Sequence, residues 1–252
     1  MKKVYLGNKP LTTLATREEG GGGGNDDVVK SLIDRSITRV DIPNGVTKIG
    51  EYVFTNCTKL TSVTIPNSVT SIGRNAFYKC ESLSSIDIPS SVTSIGDSAF
   101  NYCSRLSSIT IPSGVTKIGN DVFYGCSYLS NIIIPNSVTI IGSYAFSGCE
   151  SLSSIYIPSS VTFIGGSAFN NCSRLSSITI PSGVTTIGTY AFRNCSSLSS
   201  VTIESTTKLA YNTNAFQYIA SNAVLRVPSN LVDAYKADSK WSSAFGGGIV
   251  AI

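Results

Sequence analysis

The sequence contains no histidine, and this absence removes two functions at once. Histidine is the side chain that proteins use most often as a general base near neutral pH and as a metal ligand. Serines are abundant, but no histidine is present to activate one of them, and no nucleophile-elbow motif occurs. The sequence therefore predicts a protein that is not an enzyme, with no catalytic residue, no metal site and no cofactor.

Charged residues are also scarce, at 13% of the chain against about 25% in typical globular domains. The formal net charge of +4 is small and scattered, so we expect no nucleic-acid partner. No stretch approaches the roughly 20 apolar residues of a membrane-spanning helix. Residues 1–10 carry two lysines but no apolar core of signal-peptide length, so the sequence alone does not assign a localisation.

What the sequence has in abundance is a unit of 23 residues, which recurs without insertion from about residue 37 to residue 203. A fixed period of this length predicts a solenoid, in which each unit buries its apolar side against its neighbours. Three columns of identical residues mark the unit: Cys57, Cys80, Cys103, Cys126, Cys149, Cys172 and Cys195; Pro43, Pro66, Pro89, Pro112, Pro135, Pro158 and Pro181; Phe54, Phe77, Phe100, Phe123, Phe146, Phe169 and Phe192.

The seven cysteines follow the repeat and do not form close pairs. In stacked coils their side chains would point the same way, which is poor geometry for a disulfide. A zinc site needs cysteines close together in the chain, and none are. We therefore predict reduced, buried thiols that act as small apolar side chains.

Each unit is predicted to contain two short strands. In the unit that begins at Leu60 they are predicted over 60–65, where Val63 and Ile65 share one face of an extended chain, and over 69–72. Pro66 ends the first strand because it lacks a backbone N–H. Gly73 is predicted to supply a backbone bend. Residues 76–80 are predicted to turn the chain inward through a single helical or 3₁₀ turn.

The pattern divides the chain into five predicted regions. They are an N-terminal extension (1–19) with a small hairpin around Gly7–Asn8, a glycine linker (20–24), a helical N-terminal cap (25–36), the repeats (37–203), and an irregular last repeat with a C-terminal cap (204–252). In the last region, 224–228 is interpreted as the final strand and Ser229 as the N-cap of a helix over 230–237. The single tryptophan, Trp241, is expected to cover the open end of the solenoid.

The repeat motif Leu-x-x-[Ile/Val]-x-Ile-Pro-x-x-Val-Thr-x-Ile-Gly-x-x-Ala-Phe-x-x-Cys closely resembles the BspA-like leucine-rich repeats, also called the Treponema-type class. The segment 227–236, followed by Trp241, looks like the closing segment of such proteins from gut bacteria. Together the two matches cover roughly residues 26–245. The resemblance implies a right-handed leucine-rich-repeat solenoid, mainly parallel β, with short helical or 3₁₀ turns and helical end caps.

Members of this class are often surface proteins that bind host matrix proteins or other cells. The resemblance therefore implies a non-enzymatic recognition or adhesion module, which binds protein or glycan on a sheet surface. An alternative is open as well. The opening residues 3–10 are similar to short segments of phage or prophage structural proteins, so the chain would then be an assembly component attached through its N-terminal extension.

Candidate contact residues are found where the outward columns of the strands depart from serine and threonine. An exposed aliphatic and aromatic cluster on a polar surface is typical of a partner contact. Neutral exchange among strand-favouring residues is the alternative explanation. Self-association is the expected use of the second-strand pair, and Tyr52, Tyr144 and Tyr190 are expected only to cover the turn. The candidates are Asn131, Ile133, Ser154 and Tyr156 on the first strands and Ile140 and Phe163 on the second strands.

Overall fold

The structure is a computed structural model that describes residues 5–6, 9–10, 35–210 and 214–252. Over these residues the chain winds into about nine turns of a parallel β-solenoid with few helices, as the repeat predicts. Strands of two to four residues pair between successive coils, and residue i faces residue i+23 through most of the repeats. Strand β1 (Tyr5–Leu6) pairs antiparallel with β2 (Lys9–Pro10). The predicted linker 20–24 lies outside the described residues, as does nearly all of the predicted cap helix 25–36.

The first strand of each coil contributes to one side of the solenoid, where the outward residues form what we call the first-strand face. Pairing covers fewer residues than predicted, so that the strand expected over 60–65 spans only 62–64. The strands of this side are β3 (Arg39–Asp41), β5 (Ser62–Thr64), β8 (Ser108–Thr110), β10 (Asn131–Ile133), β13 (Ser177–Ile180), β15 (Ser200–Ile203), β16 (Val224–Val227) and β17 (Gly248–Ala251).

The second strand of each coil forms a separate set of parallel ladders with two residues per strand. One residue of each pair is buried and the other points outward. The outward residues form the second-strand face. The strands are β4 (Lys48–Ile49), β6 (Ser71–Ile72), β7 (Ser94–Ile95), β9 (Lys117–Ile118), β11 (Ile140–Ile141), β12 (Phe163–Ile164) and β14 (Thr186–Ile187).

The core is a stack of identical side chains, as predicted. The phenylalanine rings from Phe54 to Phe216 lie face to face, with centroids 5.1–5.7 Å apart. All seven cysteines, which lie among the described residues, are buried and none is in a disulfide. The Cys103 thiol donates a hydrogen bond to the Phe77 carbonyl of the preceding coil at 3.2 Å. Burial raises the pKa of this thiol, so it stays protonated.

The segment after the second strand is a series of turns rather than the predicted single helical or 3₁₀ turn. The N–H groups alternate between two acceptors: that of Cys80 bonds within its own coil to the Phe77 carbonyl, and that of Phe77 bonds to the Ala99 carbonyl of the next coil. Asn75 and Lys79 take positive φ angles of 53° and 57° to make this alternation. The turn thereby adds a third ladder between the coils, which a helix would lack because its N–H groups bond internally.

The prediction that Gly73 supplies a bend is wrong, because its φ is not positive and the bends lie at Asn75 and Lys79. The reason for glycine is the close approach of two coils. A Cβ on Gly73 would lie 2.7 Å from the Glu51 nitrogen and 2.8 Å from the Gly50 carbonyl carbon. Any other side chain at this position would push the neighbouring coils apart.

The C-terminal end is closed by side chains that do not follow the repeat. Trp241 is buried with its ring 5.8 Å from that of Phe216, which confirms that it covers the phenylalanine stack. Tyr235 is also buried and accepts a hydrogen bond from the Leu209 N–H at its hydroxyl oxygen, at 3.0 Å. Lys208 and Asp238 form an ion pair at 2.6 Å. The cap is therefore tied to the irregular coil before it by specific polar contacts.

Two details of the cap differ from the prediction. The strand over 224–227 is not the last one, because β17 pairs parallel to it. Ser229 does not cap the helix. A 3₁₀ helix, Ser229–Leu231, leads into α1 (Val232–Lys236) with no side-chain cap, and Asp238 caps α2 (Ser239–Ser242) by accepting from the Lys240 N–H at 3.0 Å. The Pro228 carbonyl instead accepts a hydrogen bond from the Leu231 N–H at 2.8 Å, which closes the 3₁₀ turn.

Candidate functional site

The first-strand face carries two of the predicted contact residues with their side chains exposed to solvent. Ile133 is 55% exposed and Tyr156 is 69% exposed, and they belong to consecutive coils. Asn131 and Ser154, two residues before them, are exposed as well. The alternation of the strand explains this arrangement, because Ile132 between Asn131 and Ile133 points into the core.

Two cavities open on the first-strand face, one on each side of the coil that carries Ile133. The larger, which we call the Glu204 cavity, has a volume of about 370 Å³, and the smaller, the Asp87 cavity, about 200 Å³. The Glu204 cavity is lined by Ser154, Ile155, Tyr156, Ile157, Ser159, Thr179, Pro181 and Glu204. The Asp87 cavity is lined by Ser85, Ile86, Asp87, Ile88, Ser108, Ile109, Thr110 and Asn131.

Both cavities lie where the parallel ladder of the first strands is interrupted. Residues 85–87 contribute only an isolated bridge between Ser85 and Ser108, and residues 154–156 form no strand. Where the ladder is interrupted, the coils are held by the core and by the other ladders. Backbone and hydroxyl groups at these two coils are therefore available to a ligand.

Each cavity contains one carboxylate, and the two differ from the other acid on this face. Asp87 and Glu204 make no ion pair with any residue that the structure describes. Asp41, in contrast, pairs with Arg39 at 3.1 Å, and the hydrogen bond from Arg39, with a second from Thr64, lowers the pKa of that carboxyl. Glu204 occupies the proline column, and its N–H donates to the Ile180 carbonyl at 3.0 Å.

Ile140 and Phe163 form a separate pair on the second-strand face. They are partners in the parallel ladder between β11 and β12 and are 40% and 38% exposed. The structure therefore places the six predicted residues in two groups on two different sets of strands. Asn131 lines the Asp87 cavity and Ser154 and Tyr156 line the Glu204 cavity, whereas Ile133 lines neither.

Sequence reasoning missed a row of tyrosines on the turn side of the coils. Tyr78, Tyr102, Tyr124 and Tyr144 contact one another edge to face, with centroids 5.3–6.4 Å apart. The hydrogen bond with Tyr102 raises the pKa of Tyr124. The ring of Tyr102 lies over the backbone of Gly125, where a Cβ would come within 2.7 Å of the ring. The four rings occupy three columns of the repeat, with Tyr78 and Tyr124 in the same one, so a comparison within a single column does not find the row.

Among the described residues, no three of histidine, cysteine, aspartate and glutamate are grouped as metal ligands. No helix in the described part of the chain combines the length and the apolar character needed to span a bilayer. The chemistry that the first-strand face offers is therefore hydrogen bonding by hydroxyls, amides and two carboxylates, with apolar contact through Ile133 and Tyr156.

The family model for the BspA type leucine rich repeat region matches residues 31–152 and 116–236 in six copies. No curated protein matches the chain. Among solved structures, a Treponema pallidum leucine rich repeat protein is 35% identical over 56% of this chain, with a TM-score of 0.54. A leucine rich cell surface protein from Faecalibacterium prausnitzii is 29% identical over 83% of this chain, with a TM-score of 0.51.

The chain spans 65% of the length of the Treponema protein and 63% of that of the Faecalibacterium protein. The pneumococcal vaccine antigen PcpA has the same fold, with 18% identity, a TM-score of 0.51 and coverage of 86% of this chain and 68% of that one. These relatives agree with the repeat architecture read from the sequence.

Proposed function

Because the chain belongs to the BspA-type leucine-rich repeat family, we propose that it is a non-enzymatic recognition module that binds an extracellular protein or glycan. The observation that supports this proposal is the first-strand face, where Ile133 and Tyr156 are exposed between two cavities on an otherwise serine- and threonine-rich surface. Exposed apolar side chains within a polar surface are characteristic of contact sites. We also propose display on a bacterial surface, as the name of the Faecalibacterium relative states for that protein.

The test replaces the two exposed residues by threonine, which is what the same column carries at Thr110 and Thr179. Binding is measured to immobilised, purified extracellular matrix proteins and to fixed epithelial cells. We expect Ile133→Thr and Tyr156→Thr each to weaken binding by about tenfold, because a contact residue in an interface contributes more than about 1 kcal/mol. Tyr128→Ser is the control, since Tyr128 is 65% exposed but lies in a turn. Equal binding by all four proteins would contradict the proposal.

The second-strand pair has its own proposed use, which is self-association. Ile140 and Phe163 together form a small apolar surface of the kind that two copies can share. Sedimentation velocity over a range of concentrations should show a dimer for the unchanged chain and a monomer for Phe163→Ser. If the unchanged chain is monomeric at every concentration, the pair does not mediate self-association. The structural role proposed from residues 3–10 stays a prediction, because most of residues 1–24 lie outside the described residues.

A further inference from the structure

The two cavities of the first-strand face share one chemistry although they lie on different coils. Each has serine and threonine hydroxyls, isoleucines at its base and a single carboxylate. Glu204 stands in the column that is proline in the seven preceding coils, and Asp87 stands in a variable column that carries threonine in four of eight coils and a second aspartate at Asp41. Independent departures from a repeat that produce the same set of groups indicate a common ligand.

The groups in the cavities define what that ligand must offer. A carboxylate only accepts hydrogen bonds, whereas a hydroxyl both donates and accepts. A ligand that satisfies both must carry several groups that donate and accept, as a polyhydroxylated sugar does. A lysine or arginine side chain only donates, so it would leave the protons of Ser154, Ser159 and Thr179 without an acceptor on the ligand.

The remaining features of the Glu204 cavity also fit a sugar ring. Its volume of about 370 Å³ lies at the lower end of the range for small-ligand sites, roughly 300–1,000 Å³. Tyr156, at the rim, is 69% exposed and offers an aromatic surface to the apolar C–H groups of a pyranose. The uncompensated carboxylate disfavours an acidic sugar, a phosphate or a nucleic acid through like-charge repulsion.

A calcium ion is not the occupant that this geometry suits. Calcium takes six to eight oxygen ligands at about 2.3–2.6 Å, usually with several carboxylates among them. Each cavity has one carboxylate, and no metal-ligating cluster occurs in the described part of the chain. The groups that line the cavities can instead form hydrogen bonds to a neutral ligand.

The distance between the two cavities indicates how long a ligand must be to occupy both. The Asp87 cavity spans the coils that begin near residues 85, 108 and 131, and the Glu204 cavity spans the next three. Parallel strands lie about 4.8 Å apart, so equivalent points in the two cavities are separated by roughly 14 Å. A single sugar fills one cavity, and a chain of several sugars reaches both.

We propose that the first-strand face binds a neutral oligosaccharide chain in two subsites, one at Asp87 and one at Glu204 with Tyr156 as its stacking surface. This proposal rests on the recognition function above and names the class of its ligand. Occupation of both subsites by one chain makes the second contact intramolecular, so affinity rises with chain length.

The test uses the full chain with neutral gluco-, manno-, xylo- and galacto-oligosaccharides and their monosaccharides, by calorimetric titration. We expect one series to bind, with its longer members binding at least tenfold more tightly than its monosaccharide. Glu204→Gln should weaken binding by about tenfold or more, because the amide oxygen accepts without the negative charge that strengthens a hydrogen bond to a carboxylate. Asp87→Asn should abolish the gain from chain length. Glu150→Gln, which makes the same charge change at an exposed position off this face, is the control and should bind as the unchanged chain does.

Three results would overturn the proposal. One is that no oligosaccharide of the panel binds, and another is that Glu204→Gln binds as well as Glu150→Gln. The third is that a lysine-rich peptide binds and depends on Glu204, which would assign the cavity to a basic side chain. If Tyr156→Thr weakens binding to matrix proteins or cells while no oligosaccharide competes, the glycan inference fails and the recognition function stands.

Discussion

The interior of the coils and the first-strand face differ in how closely their residues follow the repeat. In the interior the same side chain recurs in coil after coil, and the rings from Phe54 to Phe216 are all buried. On the face the residue changes between coils, from Thr64 to Asp87 and from Ile133 to Tyr156, and the ladder is interrupted twice.

The difference comes from what each side chain contacts. An interior ring contacts copies of itself above and below, so a change in one coil disturbs two others. A residue on the face contacts solvent on its outward side, so its replacement leaves the coils unchanged. The face is therefore free to vary with the proposed binding function, while the interior determines the fold.

The largest effect is expected for Phe123→Ala, which breaks the stack in the middle. Phe123 is fully buried between Phe100 and Phe146, so its truncation leaves a cavity and should lower the free energy of unfolding by about 3–5 kcal/mol. Denaturant unfolding followed by circular dichroism measures the change. Thr110→Ser on the face is the control. An equal loss of unfolding free energy in both variants would contradict the difference between the interior and the face.

A smaller effect is expected for Gly165→Ala, which tests the spacing of the coils. The added Cβ would lie 2.5 Å from the Gly142 carbonyl carbon and from the Ser143 nitrogen, so neighbouring coils must separate at a cost of about 1–3 kcal/mol. Gly50 is in the same column of the first described coil, where a Cβ meets only a Val53 methyl at 3.1 Å. Gly50→Ala should be clearly milder in the same unfolding assay. Equal destabilisation would mean that the contact between the coils is not the cause.

A weak pH dependence is expected from the ion pair at the beginning of the face. The hydrogen bond from Arg39 lowers the pKa of Asp41 in the folded chain, so its contribution is present above the unfolded value of about 3.9 and is lost as the pH falls through the lowered folded value. Because both side chains are exposed to solvent, which screens the pair, that contribution is small. The difference in stability between the unchanged chain and Asp41→Asn should be largest at neutral pH and vanish near pH 2. A difference in stability that grows as the pH falls would contradict the lowered pKa of Asp41.

The smallest effect on stability is expected for Tyr156→Thr, the variant for which we propose a large effect on binding. The ring is 69% exposed, so its loss should change the free energy of unfolding by about 0.5 kcal/mol or less. Thermal unfolding of this variant and of the unchanged chain measures the difference. A loss comparable with that of Phe123→Ala would show that the face also supports the fold.

The repeat predicted the solenoid, the buried thiols and the phenylalanine stack because each depends only on period and apolar character. It predicted the wrong role for Gly73, because a close approach between coils is a property of two chain segments that the sequence of one does not contain. It identified Tyr156 as exposed but did not foresee the cavity beside it. That cavity requires Glu204, two coils further along, and an interruption of the ladder.

The amino-acid sequence alone determined how often the chain returns on itself and which residues meet in the interior, since a 23-residue period leaves one way to superpose the apolar columns. Only the tertiary structure decided where the coils touch closely, where the ladder opens and which distant polar groups share a cavity. These features depend on differences of about an ångström in the distance between coils. Side-chain packing sets these differences, and residue type alone does not encode them.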